Sequence, residues 1–170
     1  EQEGPIDIFG VGTNLVTGSP DGALDGVYKL VWSGGKPRIK ISESSTKTTL
    51  PHRKQVFRIK DNHGKCIGAD AIGLYEETHI DTMFHPFENT KKLVLKGFVQ
   101  EPLLETVMEN GKMLAAKQSL SKIAEYSKQR LSELPIEYKR FDNPHIYKIG
   151  ISEALRRERD NLILDAKKGL

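Results

Sequence analysis

The sequence predicts an α/β protein with its strands in the first two thirds and its helices in the last third. Three observations lead there. Before residue 110, short runs of β-branched and aromatic residues alternate with Gly, Pro and Asp punctuation. After residue 118, apolar residues recur at helical spacing. The 170 residues are 37% hydrophobic and 29% charged, which suits one moderate core in a water-facing domain.

Taken in order, Ile6 to Phe9 reads as a short buried strand that ends at Gly10-Val11-Gly12-Thr13. The "SPDG" at Ser19 to Gly22 is a turn signal, and Val27 to Trp32 ("VYKLVW") reads as a second strand of the same sheet. Ile39 and Ile41 alternate with Lys40 and Ser42 as a half-buried strand would, and Val56, Phe57 and Ile59 form another after Pro51. "DNHGK", Asp61 to Lys65, supplies a turn into Cys66 to Gly68, which predicts an antiparallel hairpin. Leu120, Ile123, Ala124, Leu131 and Leu134 then mark a helix capped by Ser119 and stopped by Pro135. Ser152 caps a second helix carrying Leu155, Leu162, Ile163 and Ala166, with Lys167 and Lys168 at the negative end of its dipole. Between the helices, Asn143-Pro144 marks a turn and the aromatic residues anchor a connection.

Charge is unevenly spread. The net charge is +3, yet Lys36 to Lys60 holds eight basic residues (Lys36, Arg38, Lys40, Lys47, Arg53, Lys54, Arg58, Lys60) against Glu43 alone. The rest of the chain is therefore acidic on balance, and the basic segment points to an anionic partner. A single cysteine, Cys66, excludes an internal disulfide or a CxxC metal site and reads as a buried thiol. No apolar run reaches the roughly 18 residues of a membrane span, and no basic start leads into an apolar segment, so the cytoplasm is the expected compartment. The chain opens on Glu1 with a strand-like segment close behind, as a fragment would.

Glycines at a strand end let the main chain turn with positive φ and bring N–H groups close to a ligand. Gly10-Val11-Gly12-Thr13 lacks the third Gly of a dinucleotide fingerprint and the Lys of a P-loop, so on its own it fits a structural turn as well as a phosphate cradle.

Four ordered stretches carry a resemblance: "IDIFGVGTNLVT" from Ile6, "LDGVYKLV" from Leu24, "KISESSTKTTLPHRKQVFRI" from Lys40 and "YKRFDNPHIYKIGISEALRRERDNLI" from Tyr138. Together they resemble the carboxyl half of bacterial nicotinate phosphoribosyltransferase. The resemblance implies a type II phosphoribosyltransferase fold, an irregular α/β barrel beside a β-rich α/β domain with C-terminal helices. Residues 1–35 would then end the barrel and hold the phosphate loop, residues 36–110 would form the β-rich part of the second domain, and residues 111–170 the helical region. It further implies that Gly12 and Thr13 bind the 5-phosphate of phosphoribosyl pyrophosphate while Gly10 and Asn14 shape the turn, at the strand end where barrels commonly hold phosphate. Lys40 and Lys47 would face the pyrophosphate, in the neighbouring subunit's site of a homodimer, and Arg53 would be a further phosphate contact. The implied activity is ATP-coupled synthesis of nicotinate mononucleotide for NAD, with Mg²⁺ on the phosphates. The phosphorylated histidine and the base pocket would lie in the amino-terminal half, so no catalytic residue is assigned here.

One position departs from the family pattern: Pro51 is followed by His52 where relatives usually have Gly. An exposed loop imidazole is the expected role of His52. His79 and Asp81 stand near His85 in sequence, but a lone H-x-D without a third ligand assigns no metal. His145 in "NPHIY" reads as a packed histidine. The competing functions are a nucleic-acid-binding or other phosphate-binding module, which would have only Phe57 to stack bases in the basic window, and a non-catalytic interaction fragment. No membrane partner is expected.

Overall fold

A computed structural model of the chain describes residues 4–18, 22, 26–88 and 90–168. Gly34 and Gly35, at φ +59° and +71°, close a tight hairpin between β1 (Trp32–Ser33) and β2 (Lys36–Pro37). The main sheet begins with β3 (Lys54–Lys60) and β4 (Cys66–Leu74), paired antiparallel. The turn between them is the expected one. Asp61 accepts the amides of His63 and Lys65 at 2.9 Å each, and Gly64 takes φ +78°.

Short strands β5 (Thr82–Phe84), β6 (Lys92–Val94) and β7 (Val99–Pro102) follow, then a separate hairpin of β8 (Met108–Glu109) and β9 (Lys112–Met113). β10 (Lys148–Ser152) returns late in the chain to the middle of the sheet, whose order is β6-β5-β10-β4-β3-β7. It runs parallel to β4 and antiparallel to β5. The connection expected between the helices thus contains a central strand.

The core is one cluster of Phe57, Ile59, Ala69, Ala71, Ile80, Met83 and Leu95. Period-two burial along β3 puts Phe57 and Ile59 inside while Arg58 between them faces Asp70, its register partner on β4. The C-terminal helix α3 (Glu153–Lys168) packs against β4, β5 and β10. Ser152 caps it, accepting the Leu155 amide at 3.1 Å, and Leu155 is fully buried. Ala166, expected on the buried face, is exposed.

The first part of the chain departs from its expected strands. Ile6 to Phe9 and Val27 to Val31 are not in strands, and Ile8, Phe9 and Tyr28 are 87%, 74% and 89% exposed. A barrel strand is held by neighbours on both edges, and among the described residues none pairs with these segments. Ile39 and Ile41 lie in a loop for a different reason. Lys40 exchanges two hydrogen bonds with Thr49, its amide going to Thr49 Oγ1 and its carbonyl taking the Thr49 amide, which folds the chain back on itself. The turn expected from Ser19 lies mostly outside the described residues.

Candidate phosphate-binding loops

The Gly-rich segment forms a single helical turn, α1 (Thr13–Val16), with Gly12 as its N-cap. Leu15 and Val16 donate to the Gly12 carbonyl, so the amides before Leu15 precede the first intrahelical bond. Gly12 has φ −104°, and neither Gly10 nor Gly12 is among the positive-φ residues. The expected left-handed turn is absent, and what the two glycines supply is open space: a Cβ on either would meet nothing within 4 Å. Asn14 lies inside this turn.

Lys40 and Lys47 belong to one loop, residues 38–50. Its base is closed by Val31, whose carbonyl accepts the amides of both Arg38 (2.9 Å) and His52 (3.0 Å). Lys40 is cross-braced to Thr49, and Ser42 donates to Thr48 Oγ1 at 3.3 Å. Lys47 ends a short 3-10 turn, Ser45–Lys47. Both lysines are exposed. No hydrogen bond or ion pair among the described residues joins this loop to the Gly12–Asn14 turn.

The eight cations of the basic segment divide into two groups. Arg58 pairs with Asp70 at 3.2 Å, Lys60 with Glu101 at 2.7 Å, and Arg53 with Glu76 at 3.0 Å. The Arg53 guanidinium also stacks between Trp32 (5.4 Å) and Tyr75 (5.2 Å). The half-buried Lys54 donates to main-chain carbonyls, and burial pushes its ammonium down from the usual lysine range. Lys36, Arg38, Lys40 and Lys47 form no ion pair among the described residues.

His52 is not a free loop imidazole. It takes φ +72°, packs at a tilt of 41° against Trp32 with ring centroids 5.0 Å apart, and lies 3.6 Å from Glu158 of α3. A histidine therefore holds the left-handed backbone that glycine adopts most cheaply. His79 sits 3.3 Å from Asp81, whereas His85 Nδ1 accepts the amides of Phe87 and Glu88. His145 packs edge-on against Tyr138.

One polar cluster escaped sequence reasoning. Tyr147 donates to Asp70 at 2.8 Å, with Cys66 Sγ 3.6 Å from the same hydroxyl. Burial first, and then these contacts, pushes the Tyr147 phenol up from its ordinary value. The cluster ties the segment before β10 to β4, and no local pattern connects residues so far apart in the chain.

These features sit in a recognisable class. The family model for the nicotinate phosphoribosyltransferase C-terminal domain matches residues 53–159, so the chain belongs to that family. It is 37% identical to the nicotinate phosphoribosyltransferase of Bacillus subtilis (strain 168) over 156 residues, which are 87% of this chain and 32% of the relative. With the Dictyostelium discoideum enzyme of the same name it shares 33% identity over 174 residues, 95% of this chain and 29% of the relative. The crystal structure of human nicotinic acid phosphoribosyltransferase superposes with a TM-score of 0.66 at 28% identity, covering 83% of this chain and 27% of that one. The chain spans about a third of the length of these curated relatives.

Proposed function

We propose that this chain supplies phosphate-holding loops to an enzyme that makes nicotinate mononucleotide from nicotinate and phosphoribosyl pyrophosphate, coupled to ATP hydrolysis, in NAD synthesis. Family membership supports the reaction. The division of the basic segment carries the assignment within this chain: Lys54, Arg58 and Lys60 are partly buried and partnered, Arg53 is exposed but paired with Glu76, while Lys36, Arg38, Lys40 and Lys47 stay without an ion-pair partner among the described residues. Lys40 and Lys47 are assigned to the pyrophosphate, as point charges that bind it equally in the bound substrate and as it departs. In a homodimer with shared sites they would serve the neighbouring subunit. Gly12 and Thr13 are assigned to the 5-phosphate, with Gly10 and Asn14 shaping the approach.

Arg53 is assigned a bracing role, since reaching a phosphate would cost it Glu76 and two aromatic faces. Mg²⁺ is assigned to the pyrophosphate oxygens, since this small, strongly hydrated cation is usually held through substrate phosphates rather than an all-protein cage. ATP and the phosphohistidine are assigned to the amino-terminal portion. The reading as a nucleic-acid module is weakened by Phe57, the one aromatic residue of the basic window, which is buried in the core.

Lys40→Met and Lys47→Met test the assignment in the assembled enzyme. Each removes a charge from an exposed stem, so kcat/KM for phosphoribosyl pyrophosphate should fall about tenfold or more while the unfolding midpoint stays put. Unchanged kinetics in both variants would refute it.

A further inference from the structure

Lys54 is the first residue of β3, at the neck where the 38–50 loop rejoins the sheet. Its ammonium has three donors and no acceptor. Three consecutive carbonyls take them: Leu50 at 2.9 Å, Pro51 at 3.0 Å and His52 at 2.5 Å. Consecutive carbonyls in an extended chain point to alternate sides, so this convergence needs a local reversal. The left-handed backbone of His52 lies within the cradle. The His52 imidazole lies against Trp32 and 3.6 Å from Glu158, and the His52 amide completes the closure on Val31.

We propose that Lys54 is a positioning residue: its ammonium fastens the neck of the 38–50 loop and so fixes where Lys40 and Lys47 stand. This rests on the assignment of those two lysines to pyrophosphate and adds the residue that presents them. Lys40 is bonded through Thr49 to the stretch that ends in the cradle, and Lys47 lies two residues before Thr49. A lysine is thus used as an internal cation that holds other lysines out. Anion binding then meets a preset loop rather than one that must be ordered on contact, which would cost affinity.

The test uses Lys54→Met and, as a milder change retaining a donor, Lys54→Gln, both in the assembled enzyme. Hydrogen exchange is followed by mass spectrometry in peptides covering residues 38–53, with β4 peptides reporting global folding. Losing hydrogen bonds made by a charged group should speed exchange in the loop by about tenfold or more in Lys54→Met, with β4 unchanged. Over the same variants, KM for phosphoribosyl pyrophosphate should rise severalfold while kcat changes little, with Lys54→Gln between Lys54→Met and the parent. If Lys54→Met does not fold, the same two readouts in Lys54→Gln decide. Loop exchange equal to the parent's would overturn the anchoring role, whatever the kinetics. Faster exchange with an unaltered KM would keep the anchor but sink its link to substrate, while the assignment of Lys40 and Lys47 would still be decided by their own variants. Lys47→Met separates the two ideas, because it should raise KM without loosening the neck.

Discussion

Gly68 has two independent reasons to be glycine. Its φ is +73°, and a Cβ there would stand 2.0 Å from the Tyr138 ring, whose hydroxyl donates to the Ile67 carbonyl. Gly68→Ala must therefore strain the backbone and displace a packed aromatic, and we expect a loss of about 3 kcal/mol or more in urea unfolding. A shift under about 0.5 kcal/mol, the range of ordinary surface substitutions, would mean that neither the backbone strain nor the Tyr138 contact acts as argued. His52 teaches the opposite lesson. The resemblance marks it only as a residue expected to replace a Gly, and its left-handed φ agrees with that expectation. Its packing on Trp32 and its approach to Glu158 lie outside that expectation, because they depend on how distant segments meet.

At the scale of elements, helix α2 (Leu120–Ser132) was legible down to its cap: Ser119 accepts the Lys122 amide at 3.4 Å. Its apolar stripe is another matter, since Leu120, Ile123 and Leu131 are 85%, 49% and 56% exposed. What holds the helix to the sheet is ionic. Arg130 makes a fork of two bonds, 3.0 and 3.1 Å, to Glu101 of β7, and Lys60 of β3 reaches the same carboxylate. Glu133 Oε2 lies within 3.4 Å of both cations yet makes no hydrogen bond. The Arg130 bonds first, and those of Lys60 after, hold the Glu101 carboxyl down to about 2. A carboxylate depressed in the fold contributes stability above its unfolded value of 4.5, and that contribution is lost as pH falls toward 2. Urea midpoints should therefore drop across that window by more in the parent than in Glu101→Gln. Parallel pH profiles for the two proteins would show that the pair contributes nothing measurable. The long hairpin β3–β4 and the α3 cap were readable because their signals are local. β10 was not, since its strand character comes from insertion between β4 and β5. The Asn110-Gly111 turn of β8–β9, with φ +48° and +76°, is a signal that sequence reasoning passed over.

For the molecule as a whole, the distribution of exposed apolar residues says what the chain needs. Ile8, Val27, Tyr28, Leu120 and Ile146 are between 75% and 89% exposed, and they come from the two segments expected as barrel strands, α2 and the link before β10. The central sheet has its own buried cluster, so the shortage lies around it rather than within it. Apolar segments left open in this way favour self-association or a covering partner. The relatives are about three times as long as the stretch this chain matches, and under the proposed function the covering partner is an amino-terminal portion of the enzyme. The chain alone should therefore be catalytically silent and self-associate at micromolar concentration, seen as a mass above the 19.1 kDa monomer. Mixed with a separately produced amino-terminal portion, it should form a discrete complex and restore ATP-dependent formation of nicotinate mononucleotide, with neither piece active by itself. Exposed tyrosines give a second readout, because Tyr28 should lose reactivity toward a phenol-directed reagent in the complex while the half-buried Tyr147 reacts poorly in both states. Turnover by the isolated chain would overturn this view, and so would a monodisperse monomer that neither binds the amino-terminal portion nor shields Tyr28 in its presence.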